Sequence, residues 1–312
     1  MGNGIRAIGR IAPSPSGEMH LGNAFSALLA WAFARSAGGA FVVRLENLDE
    51  RCQNPALAQG VLDDLRWLGI DWDDDPLVQT ERLHAYEEAL ERIGEKAELY
   101  PCFCSRADLH AASAPHASDG TPLYAGTCYR LDAAERDARA ATHRHALRLH
   151  VSDEKVSFVD EIQGSYEQDL ASECGDFVVR RSDGVFAYQL ACVVDDIAQG
   201  VTQIVRGSDL LSSTPRQILL YELLDASVPG FAHHPLLLAH DGRRLSKRDG
   251  DSTIAGMRER GITPQAIVGY LAYLAGQVEA GECLSAAELP DVFDAAKIPR
   301  EDMAVDLGCL EA

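Results

Sequence analysis

Lysine is scarce in this chain. Of 28 basic residues only Lys96, Lys155, Lys247 and Lys297 are lysines, so arginine supplies almost all the positive charge. Basic residues are themselves outnumbered by 48 acidic ones, and the net charge of −20 counts against a surface coated by nucleic acid, whose phosphates require a broad basic face. Local footprints remain at Arg180-Arg181, Arg243-Arg244 and Lys247-Arg248. Long apolar runs are missing too: no stretch approaches the ~18 residues of a membrane-spanning helix. Residues Met1 to Arg6 carry no apolar signal region, and Arg6 stands where a myristoylated chain has Ser or Thr. The expectation is a cytoplasmic protein with no membrane association. The eight cysteines are scattered apart from one cluster, which with no secretory leader argues against a disulfide scaffold. There is no internal repeat and no low-complexity tract.

What is present alternates between strand-like and helix-like segments. Ile5 to Ala12 reads as a strand, followed by a Pro-Ser-Pro-Ser-Gly loop and a helix from about His20 to Ala37, ended by Gly38-Gly39. Phe41 to Glu46 is short and apolar enough for a buried parallel strand. Asn54-Pro55 caps a helix to about Leu68, and another runs from Glu81 to about Lys96. Strand–helix–strand–helix at these lengths predicts a doubly wound α/β sheet. Beyond Tyr100 the pattern breaks into Cys, Pro and Gly punctuation, with short strands at Ala146 to Val151 and Val156 to Asp160. Further strands are expected at Asp176 to Arg181, Gly184 to Val194 and Val201 to Val205, with Ser212 and Ser213 capping a helix to about Leu224. The expected division is 1–99 and 166–235 for the two halves of the catalytic domain, 100–165 for an insertion, and 236–312 for a basic loop and a short helical C-terminal region.

Two segments carry chemistry. Pro13-Ser-Pro-Ser-Gly-Glu-Met-His-Leu-Gly-Asn23 opens a helix, whose first amides and dipole can hold phosphate. Gly22 leaves the backbone bare, and His20 and Asn23 on the same turn can offer N–H donors. Far along the chain, Arg244-Leu-Ser-Lys-Arg248 uses one of the rare lysines, a compact mobile ammonium suited to a moving phosphate. Together they predict an ATP-dependent, adenylate-forming enzyme.

Arg10 to Asn23 resembles the signature block of class I glutamyl-tRNA synthetases, as do Arg44 to Asp49, Val205 to Gln217 and Arg244 to Arg248. The resemblance runs from about residue 5 to residue 250. His20-Leu-Gly-Asn23 corresponds to the "HIGH" element with Asn23 in place of its second histidine, and Arg244 to Arg248 corresponds to "KMSKS", keeping only its second lysine. The stretch after Gly250 is too short for the family's helical anticodon-binding region. The resemblance is therefore strongest to the truncated paralogues, which attach glutamate to the queuosine base of tRNA(Asp). It implies a Rossmann-type doubly wound parallel sheet with an inserted, zinc-containing, acceptor-like subdomain, in a monomer that uses ATP with Mg²⁺.

The same resemblance implies that Arg10, Ile11, Ala12, Pro13, Ser14, Glu46, Tyr188 and Arg206 line a glutamate site. The chemistry agrees: the arginine forks suit carboxylates, and Glu46, at the carboxyl end of its strand, suits the ammonium. His20, Gly22, Asn23 and Lys247 would hold ATP, with His20, Asn23 and Lys247 acting on its phosphates. Asn47 stands where the family often has aspartate.

Cys102, Cys104 and Cys128 are the one cysteine cluster, and three thiolates suit a structural Zn²⁺. Chemistry alone names His110 or His116 as fourth ligand; the resemblance names Tyr124. Three other readings compete: a minimal conventional synthetase charging a tRNA acceptor end, a non-catalytic tRNA- or glutamate-binding paralogue, and an HxGH-type nucleotidyltransferase. Intact Arg10, His20, Glu46 and Lys247 weigh against the second. Ser212 to Arg216 resembles a motif of the third, but those proteins are shorter and lack the Arg10 and Arg44–Asp49 blocks.

Overall fold

Small residues decide how closely the first helix lies on the sheet. In the computed structural model, which describes residues 7–105, 108, 123–152, 155–239, 241–243, 245 and 252–310, strand β1 (Ile8–Ile11) leads through the Pro-Ser-Pro-Ser-Gly loop into helix α1 (Leu21–Ser36). A Cβ on Gly9 would stand 2.9 Å from Ala34 Cβ and 3.2 Å from the Ala30 carbonyl oxygen, so only glycine permits this approach. Ten of the helix's 16 residues are buried, among them five alanines, and it is apolar nearly all round, as a core helix is. Gly38, with φ of +64°, turns the chain into strand β2 (Ala40–Leu45), buried along its whole length. Helix α2 (Pro55–Trp67) starts where expected: Asn54 accepts from the Ala56 amide, with Pro55 at the first position.

Strand β3 (Leu77–Val78), helix α3 (Leu83–Gly94) and strand β4 (Leu99–Cys102) follow, then helix α4 (Ala133–Ala140) and strands β5 (Ala146–Leu149), β6 (Lys155–Asp160) and β7 (Gly164–Asp169). After the short helix α5 (Leu170–Glu173) come strand β8 (Phe177–Arg180), helix α6 (Tyr188–Ala198), strand β9 (Gln203–Gly207), helix α7 (Thr214–Leu223) and strands β10 (Gly230–His234) and β11 (Leu237–Leu238). Helices α8 (Ile254–Glu259), α9 (Pro264–Leu274) and α10 (Leu289–Val292) and strand β12 (Met303–Ala304) complete the chain. The main sheet has seven strands in the order β3-β2-β1-β9-β10-β6-β7, parallel except for β7, which returns antiparallel beside β6. The order reverses between β1 and β9. In open α/β sheets ligands bind at such a switch point, outside the carboxyl ends of the strands.

Three expectations need correction. The segment Gly184 to Val194 does not form a strand. The Ser182–Gly184 turn exists, with Gly184 at φ +91°, but only an isolated bridge at Phe186 follows it before α6 begins at Tyr188. The β-branched pair Val193-Val194 reads locally as strand, whereas burial of Leu190, Ala191, Val193 and Val194 on a helix face against α3 and α7 wins. Ser213 precedes α7 but makes no side-chain cap; residues Ser208–Ser213 wind as a 3₁₀ helix, and the Ser213 hydroxyl accepts instead from Gln189 and Arg216. Finally, β6 pairs with β10 in the main sheet although it falls within 100–165, whereas β8, beyond residue 165, pairs with β5 and so completes the antiparallel sheet β4-β5-β8. The C-terminal helices share one apolar core with α1, through Ile254, Met257, Ile267, Leu271 and Leu289. Among the described residues no helix is long and apolar enough to cross a membrane.

Candidate active site

A cavity of about 620 Å³ opens at the switch point, lined by the ends of β1, β2 and β9 and the start of α1. Arg10, Ile11, Ala12, Pro13, Ser14, His20, Gly22, Asn23, Glu46, Tyr188 and Arg206 all line it, so the described part of the expected site comes together in one place. Lys247, Arg244 and Arg248 lie outside the described residues. Two neighbours of Lys247 in the chain are described: Leu245 lines the cavity, and beyond the loop Thr253 forms a backbone bridge with His20 while the Ile254 amide donates to the Met19 carbonyl. The chain that follows the basic loop is thus tied to the opening of α1, while the Leu245 amide bonds back to Leu237 of β11.

At that opening His20 and Asn23 cap the helix reciprocally. The Asn23 amide donates to His20 Nδ1 at 3.3 Å, and the His20 amide donates to Asn23 Oδ1 at 3.3 Å. A neutral His20 ring with Nδ1 accepting carries its proton on Nε2, and Asn23, having used its oxygen, keeps Nδ2 as donor. Gly22 has a second reason to be glycine: a Cβ there would press on the His20 ring at 3.2 Å.

The other end of the cavity is built from charge. Arg44, near the carboxyl end of β2 and fully buried, holds Asp196 at 2.6 Å, Glu46 at 3.2 Å and Gln199 at 3.0 Å. Arg10 also reaches Asp196, at 3.4 Å, and donates to the Val205 carbonyl. Asp196 thereby anchors both arginines. Burial works against its ionisation, yet Arg44 and Arg10 hold its carboxyl below the usual range. Its neighbour Asp195 is taken by Arg82, Gln79 and Tyr86. Glu46 keeps one face toward the cavity, and burial pushes its carboxyl above the ordinary 4.5, with Arg44 and Arg10 opposing.

Arg206 differs from both. It is 5% exposed, and its side-chain hydrogen-bond partners are neutral groups: His233 at 3.0 Å, Thr214 at 2.8 Å and, weakly, Tyr188 at 3.4 Å. No carboxylate among the described residues is within ion-pair distance. A buried cation held only by neutral groups is costly, and the cost is met when an anion enters. Arg44, Asp195, Asp196, Asp160 and His233 were not singled out from the sequence. One signal was available: two adjacent aspartates in the otherwise apolar run Leu190 to Ala198 must be buried, and buried carboxylates require cations.

Away from this cavity, the Sγ atoms of Cys102, Cys104 and Cys128 lie within 4.8 Å of one another, Cys104 and Cys128 at 3.6 Å. A tetrahedral zinc with sulfur ligands at about 2.3 Å spaces its sulfurs about 3.8 Å apart, so the cluster can hold a metal ion. The Tyr124 hydroxyl joins it, accepting from the Cys128 amide at 2.7 Å, with the Arg148 guanidinium 3.9 Å from the tyrosine ring centre. Burial and the neighbouring Cys102 push the Cys104 thiol up to about 12, a tendency that a dication would reverse. His110 and His116 lie outside the described residues.

The chain matches the family of class I tRNA synthetases for glutamate and glutamine (E and Q), catalytic domain, over residues 7–310. It is 52% identical to a glutamyl-Q tRNA(Asp) synthetase of Symbiobacterium thermophilum, over 97% of each chain. The chain belongs to this family. It is also 41% identical to glutamate–tRNA ligase 2 of Alkalilimnicola ehrlichii, over 91% of this chain but only 62% of that longer protein. Among solved structures, a glutamate tRNA ligase from Elizabethkingia meningosepticum, crystallised with its amino acid, superposes with a TM-score of 0.84 at 26% identity, over 98% of this chain and 68% of that one.

Proposed function

We propose that this protein activates L-glutamate with ATP, forms glutamyl-adenylate without help from tRNA, and transfers the glutamate to the queuosine base of tRNA(Asp). The observation that carries the reading is the charge layout of the cavity. Arg206 has its cation toward the cavity beside Arg10, Glu46 offers an anion, and the α1 end offers phosphate donors. The α-carboxylate of glutamate must stay free to react, so Arg206, Arg10 and Tyr188 are assigned to the side-chain carboxylate and Glu46 to the ammonium. Ile11 to Ser14 form the wall between them and α1.

ATP would lie along α1 with its phosphates near His20 Nε2, Asn23 Nδ2, the bare backbone at Gly22 and the Lys247 ammonium. Mg²⁺ would be bound mainly by phosphates and water. A carboxylate oxygen of glutamate attacks the α-phosphorus and pyrophosphate leaves; a hydroxyl of the queuosine ring then attacks the acyl carbon and AMP leaves. Positioning and charge stabilisation do most of this work. RNA contact is supported by a second cavity, about 550 Å³, lined by His143, Arg144, His145, Arg180 and Arg181 in a chain that is otherwise strongly acidic. Arg181 also reaches Asp49, in the loop that leaves Glu46, at 3.5 Å.

The deciding experiment incubates the protein with radiolabelled glutamate, ATP and tRNA(Asp) with or without queuosine, then maps the label. Label is expected only on queuosine, and glutamate-dependent ATP–pyrophosphate exchange is expected with no tRNA present. Label on the terminal adenosine, or exchange that strictly requires tRNA, would instead identify a minimal conventional synthetase.

Glutamate binding should also depend on pH through Glu46. The ligand ammonium needs an ionised carboxylate, and the Glu46 carboxyl sits above 4.5 in the free protein. Affinity is therefore full at pH above the raised value and lost as pH falls through it, so weakening begins above 4.5. Glutamate KM followed from about pH 8 down to about pH 5 is expected to climb. In Glu46→Gln that dependence should vanish, with KM higher throughout by roughly 10- to 100-fold, as for loss of a hydrogen bond to a charged group.

One Zn²⁺ per chain is proposed at Cys102, Cys104 and Cys128, with the Tyr124 oxygen as fourth ligand and a structural role. Its removal is expected to loosen the β4-β5-β8 sheet and weaken tRNA engagement while leaving exchange intact, because the cluster does not line the active cavity. Elemental analysis tests this: absence of zinc from purified protein sinks the site. Full zinc in Tyr124→Phe with loss in His110→Ala or His116→Ala would move the fourth ligand to that histidine.

A further inference from the structure

Three neighbouring parallel strands carry Asp160, His233 and Arg206 in a line across the sheet. His233 of β10 stands in register with Arg206 of β9, and Asp160 of β6 pairs with Phe231, two residues before His233 and so on the same face. All three are buried. His233 Nδ1 bonds to Asp160 Oδ2 at 2.5 Å, and the Arg206 Nε–H donates to His233 Nε2 at 3.0 Å. Since Nε2 must accept, the proton of the ring lies on Nδ1 and is donated to the carboxylate. The Asp160 Oδ1 atom is itself fixed by the Ile162, Gln163 and His233 amides at 3.0, 2.8 and 3.0 Å.

We propose that His233, oriented by Asp160, is a positioning residue that sets the Arg206 guanidinium for the side-chain carboxylate of glutamate. The inference rests on the reading of this cavity as the glutamate site.

The physical reason lies in which edge of the guanidinium is used. His233 and Thr214 occupy Nε and Nη2, the side-on edge, and leave the Nη1 end beside the Tyr188 hydroxyl for the ligand. A carboxylate in place of His233 would hold Arg206 as firmly but would neutralise it and compete with the substrate for the same cation. A neutral imidazole anchors the arginine without competing, and Asp160 supplies negative charge one residue further away. Desolvation keeps the His233 ring neutral, helped by the nearby Arg206 charge and opposed by Asp160. An imidazolium would turn a second donor on the Arg206 Nε–H and break the arrangement.

Asp160 is bonded to three backbone amides, so its replacement would disturb the β6 turn as well; His233 gives the cleaner test. ATP–pyrophosphate exchange is measured for wild type, His233→Leu and His233→Gln, with separate KM values for glutamate and ATP and a thermal melt of each protein. In His233→Leu, glutamate KM is expected to rise at least ~10-fold, the usual cost of stranding a buried donor, with ATP KM within about twofold. His233→Gln places an amide oxygen near the Nε2 position and is expected to recover most of the loss, even if both variants melt lower than wild type. If His233→Leu does not fold, the Gln variant carries the test: a wild-type-like ratio of the two KM values supports the proposal. Equal damage in both variants, or a loss shared by glutamate and ATP, overturns it. Absence of glutamate-dependent exchange in the wild type would overturn the reading of the cavity itself, and this inference with it. Normal wild-type exchange with an unchanged glutamate KM in His233→Leu would overturn the inference alone.

Discussion

Lys247→Ala is expected to lower glutamate-dependent ATP–pyrophosphate exchange by ~10²–10³, the usual effect of removing one well-placed electrostatic donor from a transition state. The loss should fall on kcat. An ammonium that follows the phosphates as pyrophosphate leaves stabilises the transition state more than either ground state. Glutamate binding measured without ATP should be unchanged, because the described part of the glutamate end of the cavity is made by β1, β2, β9 and α6 and uses no lysine. Lys247→Arg is expected to rescue poorly, since a planar fork cannot track a moving phosphate as a compact ammonium does. Thr253, after the loop, is bridged to His20 at the α1 opening, and Leu245, two residues before the lysine, lines the same cavity. Exchange that survives within a few-fold would remove the loop from the chemistry.

Arg206→Met should give the opposite kinetic pattern. The side chain is nearly isosteric with the arginine stem, yet its loss deletes the one buried cation of the cavity held only by neutral partners. Charge-assisted hydrogen bonds to a carboxylate are worth about 1.5–3 kcal/mol each, so a two-point contact predicts a rise in glutamate KM of at least ~10² with little change in ATP KM. Stability should change less than binding, because loss of an uncompensated buried charge offsets the stranding of the His233 Nε2 acceptor and the loss of the Thr214 contact. A lowered melting temperature together with an unchanged glutamate KM would assign Arg206 to the architecture of the sheet and not to the ligand. Arg10→Met is not an equivalent experiment: it would leave Asp196 with Arg44 as its only ion-pair partner, so stability and binding would fall together.

Local chemistry explains which elements were legible. Asn54-Pro55, Gly38-Gly39 and the buried run of β2 each state a backbone preference that the tertiary structure only confirms. The run Tyr188 to Ala198 states a preference that the tertiary structure overrides. Its β-branched residues suit a strand, and only packing against α3 and α7 makes it a helix, which places Tyr188 on its first turn at the cavity. Among the site residues, Arg10, Glu46, His20 and Asn23 stand in segments whose composition already suggests ligand binding, and resemblance added Tyr188 and Arg206.

The sequence by itself determined the chemical inventory of this protein: a turn suited to phosphate, a rare lysine in a basic loop, arginines and a glutamate suited to a zwitterion with an extra carboxylate, and three clustered thiols. Each is written in a short segment whose meaning survives without its neighbours. Only the tertiary structure decided how the charges are shared. Asp196 satisfies Arg10 and Arg44 across strands far apart in the chain, while Arg206 receives a neutral histidine and so stays available as a cation. That division could not be read in advance. It depends on β6, β10 and β9 lying side by side in the sheet, and strand order is set by long-range packing and crossover geometry, which no local pattern encodes.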